Sequence, residues 1–427
     1  MENLNERDAV KFGCLGTLRR LQRRGLLSQE EHLCQAAARS GQLEELKWLR
    51  ENNTPWDEKT YDSAALGGHL EVLQWLRAND CPCDEETCES AAVGGHLEVL
   101  QWLHAIGYSC EEDIYKQICA QAAKGGHLEV LPWLLAKNCP WDEQTCAAAA
   151  GGGHLEVLQW LRANGCPCDE ETCSAAAKGR HLEVLQWARA NGAVWCEYTC
   201  SLAAKHGHLD VLQLAHANDC PWDESTCAYA AKGWHLEVLQ WACANGCPWD
   251  EDVCSSAAEG GHLEVLQWAC ENGCRLHEDI CGMAAEGGHL EMLKWASENG
   301  CPCPWEDEMT STWAAEGSHL EVLKWAHEKG CALPENICLL AATKGNVELL
   351  QWARSKGAPW DEETALKAAE SNHFKVLRWA VENGCPLGEE NEDSEEEVCQ
   401  FAARHGNIEM MKWAIDFGVE FSDTVLS

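Results

Sequence analysis

Long apolar runs are missing from this sequence. No stretch reaches the roughly 18 residues that a membrane-spanning helix needs, so no membrane partner is expected. Positive charge is scarce, with 32 Lys and Arg against 70 Asp and Glu and a net charge of −38. A surface this negative repels phosphate backbones, which argues against nucleic acid as a partner. The first 50 residues depart from this balance, with nine Lys or Arg against seven Asp or Glu. There is no HExxH and no GxSxG, and the run Gly151 to His154 is not followed by Lys-Ser/Thr. Zinc-peptidase, serine-hydrolase and phosphate-loop chemistry therefore have no motif to stand on. The opening MENLNERDAV is charged and lacks the apolar core of a secretory signal. A cytoplasmic location is expected, with the nucleus as the other possibility, and not secretion. The 28 cysteines then read as thiols.

Phe and Tyr contribute only five residues each, yet Trp contributes 22. Such a skew suggests one residue copied at one position. Trp48, Trp75, Trp102, Trp133, Trp160 and Trp187 set a register whose step is mostly 27, and Trp241, Trp268, Trp295, Trp325, Trp352, Trp379 and Trp413 continue it. Leu214 stands where a tryptophan would fall between Trp187 and Trp241. Three steps are longer, 31 into Trp133, 30 into Trp325 and 34 into Trp413, and insertions of this kind map to loops. The last carries Glu389, Glu390, Glu392, Asp393, Glu395, Glu396 and Glu397, a run that reads as a solvated loop. Near the start, Gly13 and Leu15 to Leu21 trace a degenerate first unit.

The copy from Cys166 to Asn191, CPCDEETCSAAAKGRHLEVLQWARAN, shows what one unit does. Asp169 suits an N-cap, and Glu170 and Glu171 fall in a first turn where the helix dipole favours acids. Thr172 to Ala177 continue a short helix whose Cys and Ala side chains permit close packing. Gly179 and its neighbour break it. In the copy starting at His154, Leu155, Val157, Leu158 and Leu161 share one face of a second helix, with Trp160 on its flank. Glu156 and Gln159 point outward. Gly165 suits a left-handed cap after Asn164. A unit like this cannot bury its apolar face alone, so copies must stack.

The segments AALGGHLEVL (Ala64 to Leu73), AAVGGHLEVL (Ala91 to Leu100) and AAEGGHLEVL (Ala257 to Leu266) resemble the core of the ankyrin repeat. Thr60, Thr87, Thr145, Thr172 and Thr226 look like a displaced form of that family's TPLH threonine. The likeness runs from about residue 13 to 418 and departs from the family in its period of 27 rather than 33. The shortfall lies where ankyrin proteins carry a β-hairpin finger. The loop motif NGCPWDEET is similar to abbreviated repeats in expanded families of algae, oomycetes and giant viruses. The resemblance implies an all-α, helix-turn-helix solenoid with short loops and little or no β-hairpin. It would be a single array over 1–427 of about 14–15 repeats, with an N-terminal cap at about 1–40 and a C-terminal cap at about 398–427. A leucine-rich repeat, the competing solenoid, needs an LxxLxLxxN segment that is absent here.

Eleven histidines (His69, His96, His127, His154, His181, His208, His235, His262, His289, His319 and His373) share one repeat position. Stacked copies would hold them about 8–10 Å apart, too far to share a zinc ion. The resemblance implies that they brace the turn by hydrogen bonding. Cysteines form two ladders. The first-helix ladder, from Cys88 and Cys119 to Cys281 and Cys338, reads as small buried hydrophobes. The loop ladder, from Cys81 and Cys139 to Cys331 and Cys385, includes the triplets Cys81, Cys83, Cys88 and Cys166, Cys168, Cys173. Three thiolates could hold a metal, but most copies put Trp at the second position, so packing is favoured and no cofactor is expected. Loop tryptophans Trp56, Trp141, Trp222, Trp249 and Trp360 are expected to pack on neighbouring units rather than project.

Departures from the pattern are then the best leads. The residue after Ala-Ala is Lys124, Lys178, Lys205 and Lys232 in four copies and switches to Glu259, Glu286 and Glu316. Arg180 and Trp234 replace a turn glycine, and Tyr198, Leu202 and Tyr229 vary the first helix nearby. Lys124, Lys178, Arg180, Tyr198, Lys205, Tyr229, Lys232 and Trp234 are the candidate partner-binding residues. The expected function is a non-catalytic protein-protein interaction scaffold or adaptor, monomeric, with a protein partner. The alternative is a cysteine-based metal-binding or redox-responsive repeat protein.

Overall fold

The computed structural model describes residues 5–28, 30–84, 86–108, 112–302, 309–387 and 393–417. These residues form thirty helices and no strand, so the all-helical repeat architecture stands and no finger hairpin occurs among the described residues. Two compact units are present, Met1–Trp222 and Asp223–Ser427. In each, helices come in pairs, eight in the first and seven in the second among the described residues. The degenerate opening unit is Glu6–Lys11 followed by Leu15–Arg23.

The copy analysed above folds as Glu170–Lys178 and Leu182–Ala190. The Asp169 carboxylate accepts from the Glu171 backbone N–H at 2.9 Å, satisfying one of the free donors at the helix start. Asp57 does more: its carboxylate and the Thr60 hydroxyl cap each other's backbone in a reciprocal box. First helices pack on first helices of neighbouring copies, Glu143–Gly151 against Glu170–Lys178 and Glu224–Lys232 against Asp252–Gly260. Ala149, Ala150, Ala176 and Ala177 are fully buried there, and their small side chains let the backbones approach. Second helices supply the larger apolar surface. Val157, Leu158 and Leu161 are buried, each contributing about 1.5–3 kcal/mol, while Glu156 and Gln159 are exposed. After the second helix, Gly165 turns left-handed at φ +82°, and Asn53, Asp80, Asn138 and Asp219 accept the same conformation elsewhere.

The turn histidines reach further than bracing their own turn. His96 Nε2 lies 3.0 Å from the carbonyl of Leu66, the last residue of the preceding copy's first helix, and His69 contacts Arg39 in the same way at 3.1 Å. His127, His181, His208, His262, His289 and His373 repeat the bond, at 2.8–3.3 Å. Each satisfies a carbonyl that a helix C-terminus leaves without an internal partner. The expected brace is therefore a bond between copies. It also explains the paired glycines. A Cβ on Gly67 would stand 2.4 Å from the Arg39 carbonyl and 2.6 Å from the His69 ring. A Cβ on Gly68, at φ +74°, would stand 2.4 Å from the His96 ring of the next copy.

The insertions correct one expectation. The step of 31 lengthens a first helix, Glu112–Lys124, instead of a loop. In the step of 34, Asp393 to Glu397 open the helix Asp393–Arg404, while Glu389, Glu390 and Glu392 lie outside the described residues. Extra residues at a helix start extend it outward without disturbing the buried Cys-Ala segment behind. The step of 30 falls at residues 303–308, outside the described residues.

Candidate interaction surface and thiol clusters

The Met1–Trp222 unit carries five of the eight candidate residues. Lys124, Lys178 and Lys205 are exposed at or beside first-helix C-termini. Arg180 holds the left-handed turn position at φ +60° and pairs through Nε with Asp210 at 3.1 Å. Tyr198 is 61% exposed in the first turn of Glu197–Lys205. The Asp223–Ser427 unit carries the other three. Lys232 Nζ lies 2.6 Å from Glu259, the acidic residue at the same position one copy on. Trp234, at φ +60° and 62% exposed, stacks nearly parallel on His262 with ring centres 5.8 Å apart. Tyr229 is also exposed. Burial beside this ring pushes the His262 pKa below its usual range. These ion pairs are solvent-facing and hold little energy; they orient side chains more than they stabilise the fold.

Trp56, Trp141 and Trp360 pack as expected, but their ring partners lie on the second helix of their own copy and not on a neighbouring one. Trp56 meets Trp75 edge-on at 5.7 Å, Trp141 meets Trp160 at 5.8 Å, and Trp360 meets Trp379 at 6.0 Å. Arg50 and Arg354 lie 4.0 Å over the Trp56 and Trp360 rings, a favourable cation–π placement.

An open groove of about 1130 Å³ in the second unit was not signalled by the sequence. Trp249 and Met283 supply apolar surface, while Asp250, Glu251, Asp252, Glu278 and Asp279 outnumber Arg275 and His277 along its walls. On this wall Ser255 Oγ lies 3.3 Å from His277 Nε2, and His277 Nδ1 lies 3.4 Å from Asp279. The Ser255 hydroxyl also contacts the Glu251 carbonyl at 3.4 Å.

The two cysteine ladders face each other. Cys166 donates to the Asp142 carbonyl at 3.3 Å, and Cys247, Cys301 and Cys385 reach the equivalent carbonyls at 3.2–3.3 Å. This places Cys166, Cys247 and Cys301 beside the first-helix cysteine 20 residues earlier, while Ala365 stands at that position before Cys385. Cys119 and Cys139 meet in this way, as do Cys200 and Cys220. Cys254 and Cys274 are joined as a disulfide with Cα atoms 6.9 Å apart, so the reading of every cysteine as a thiol is corrected there. The CxC triplets do not converge. Cys168 turns from Cys166 and Cys173 to Cys146, with sulfurs 2.7 Å apart, and Cys83 contacts the Tyr108 hydroxyl. The recurring offset of 20 is present in the sequence, but only stacking shows which rungs touch. Among the described residues, three potential metal ligands lie within 4.8 Å of one another at Asp62, Asp84 and Glu86 alone, all carboxylates. Burial raises the Asp62 pKa to about 6, against a hydrogen bond from Thr87 at 2.7 Å that lowers it.

A family model described as ankyrin repeats in many copies matches residues 33–77 and 365–415. No curated protein matches the chain. Among solved structures, the ankyrin repeat domain of human ASB11 is 18% identical, covering 37% of this chain and 84% of that one with a TM-score of 0.30. The pentatricopeptide repeat protein PPR10 from maize is 11% identical over 98% of this chain and 79% of that one, also at 0.30. Its complex with an 18-nt psaJ RNA element is 14% identical over 97% and 74%, at 0.35. At TM-scores this low, these likenesses have no bearing on what this chain binds. No described helix is long and apolar enough to cross a membrane.

Proposed function

We propose that this chain, which belongs to the ankyrin-repeat family, is a non-catalytic scaffold that holds protein partners on the exposed edges of first helices and turns, within each of its two compact units. One observation carries the reading. Positions that pack copies together are repeated almost unchanged, while the edge residues Arg180, Tyr198, Tyr229 and Trp234 break the repeat and are exposed. Arg, Tyr and Trp are the types that most often anchor protein interfaces. Trp234 is pre-positioned by its stack on His262, and Arg180 by Asp210, so little side-chain freedom is lost when a partner docks. An adaptor or competitor role inside the cell, as a monomer, belongs to the same proposal. Lys124, Lys178, Lys205 and Lys232 add positive charge to the edge of an otherwise acidic chain and favour an acidic partner segment.

The test is capture from the source cells by the intact chain, compared with a variant carrying Lys178→Glu, Lys205→Glu, Tyr198→Ala and Trp234→Ala. The scaffold reading expects a reproducible set of proteins that the variant loses while its helical circular dichroism is unchanged. An identical set from both chains would remove this edge as the binding surface.

A further inference from the structure

We propose that Cys168 and Cys146 form an oxidisable thiol pair, in which Cys168 takes up oxidation from hydrogen peroxide and Cys146 closes it as a disulfide. The two sulfurs are 2.7 Å apart, yet their settings differ. Cys146 sits within the first helix Glu143–Gly151 and has no exposed surface. Cys168 lies in the loop ahead of Glu170–Lys178 and is half-buried. A cavity of about 20 Å³ opens beside it, bounded in part by Arg162, Thr172 and Trp187. That is room for one small polar molecule.

The electrostatics favour the same division of labour. The sulfur contact with Cys146 holds the Cys168 pKa below its usual value, with Arg162 and Thr172 adding to the effect against burial and Asp169. Cys146 keeps its proton, its pKa pushed far up by bonds to Cys166 and Cys168 and by burial. An accessible, ionisable thiol beside a protonated second thiol is the arrangement redox-responsive cysteines use. In the first step the Cys168 thiolate attacks one peroxide oxygen, the O–O bond breaks, and the departing hydroxide takes a proton to leave water and a sulfenic acid. In the second the Cys146 sulfur attacks the Cys168 sulfur. The S–O bond breaks, and hydroxide leaves as water with the Cys146 proton. Two thiols lose two electrons and one peroxide becomes two waters.

The chain contains its own comparison. Cys83 occupies the place of Cys168 in an earlier copy and is exposed, but the residue 22 before it is Tyr61, not cysteine. Cys83 can be oxidised and cannot be closed in this way. The spacing of 22 recurs at Cys88 and Cys110 and at Cys281 and Cys303, with Cys110 and Cys303 outside the described residues.

The experiment treats the reduced full-length chain with less than one equivalent of hydrogen peroxide, alkylates it, and maps the peptides by mass. The expected result is a Cys146–Cys168 link, about 2 Da lighter than the two thiols, formed before Cys83 is modified. In Cys146→Ala the link is lost and a dimedone adduct accumulates on Cys168. Absence of the Cys146–Cys168 link while the Cys254–Cys274 bond re-forms, or Cys83 reacting ahead of Cys168, would overturn the proposal. The wild-type map decides the matter even if Cys146→Ala fails to fold.

Discussion

His96 Nε2 and the backbone carbonyl of Leu66, thirty residues apart, lie 3.0 Å from each other across the junction of two copies. The same imidazole fills the space that a Cβ on Gly68 would need. One side chain thus caps the helix behind it and shapes the turn beside it.

Replacing His96 by Ala should cost about 0.5–1.5 kcal/mol, because the half-buried helix end at Leu66 loses a hydrogen-bond partner. Urea unfolding of the intact chain measures it. No change in midpoint would show that solvent serves the Leu66 carbonyl equally well.

Gly68→Ala should also destabilise, by about 1–3 kcal/mol, from the left-handed backbone and the approach to His96. Four described copies carry a side chain at the equivalent position: Ser318 and Asn372, whose next copies have Asn346 and Asn407, and Arg180 and Trp234, whose next copies keep His208 and His262. Asn346 Nδ2 donates to the Ser318 carbonyl at 3.3 Å, and Asn407 Nδ2 donates to the Asn372 side chain at 2.7 Å. His96→Asn combined with Gly68→Ala should therefore be less damaging than the sum of the single changes, a coupling that a double-mutant cycle reads directly.

Asp62 supplies a pH dependence. Its pKa stands at about 6 in the fold against 3.8 for the free side chain. Between those values the folded chain holds a proton that the unfolded chain has released, so stability from this group falls as pH rises through the window. Asp62→Asn should stabilise the protein by about 1–3 kcal/mol at pH 8 and make no difference below about pH 4. A gain that is the same at both pH values would assign the effect to something other than ionisation.

Arg354 covers the Trp360 ring and also donates to the Ala358 carbonyl. Arg354→Ala should cost about 1–2 kcal/mol through lost stacking and hydrogen bonding. Arg354→Lys should recover only part, since an ammonium lacks the flat guanidinium face. Equal thermal midpoints for all three proteins would contradict this.

Features governed by local rules were legible in the sequence. The Asp169 cap, the left-handed Gly165 and the buried stripe of Val157, Leu158 and Leu161 each follow from a few adjacent residues. What escaped depends on the offset between stacked copies. Sequence spacing put the histidines at one position but could not say that His96 reaches Leu66. It traced both cysteine ladders without showing that Cys146 meets Cys168 and not Cys173. The candidate edge was partly legible: Lys232 and Arg180 are exposed, but their charges lean on Glu259 and Asp210, 27 and 30 residues further on. Register insertions were read as loops because a count of residues cannot distinguish a longer loop from a longer helix.

The fit between each turn and the following histidine also bears on how such a chain changes over generations. A whole 27-residue period can be duplicated or deleted and leave every socket matched to an equivalent ring. The stretches around Ser318–Asn346 and Asn372–Asn407 pair differently, with an asparagine in place of the ring and its amide bonded to the turn before it. Exchanging copies there would set an asparagine against a glycine turn, or a histidine against Ser318 or Asn372, so these junctions are less interchangeable than the rest.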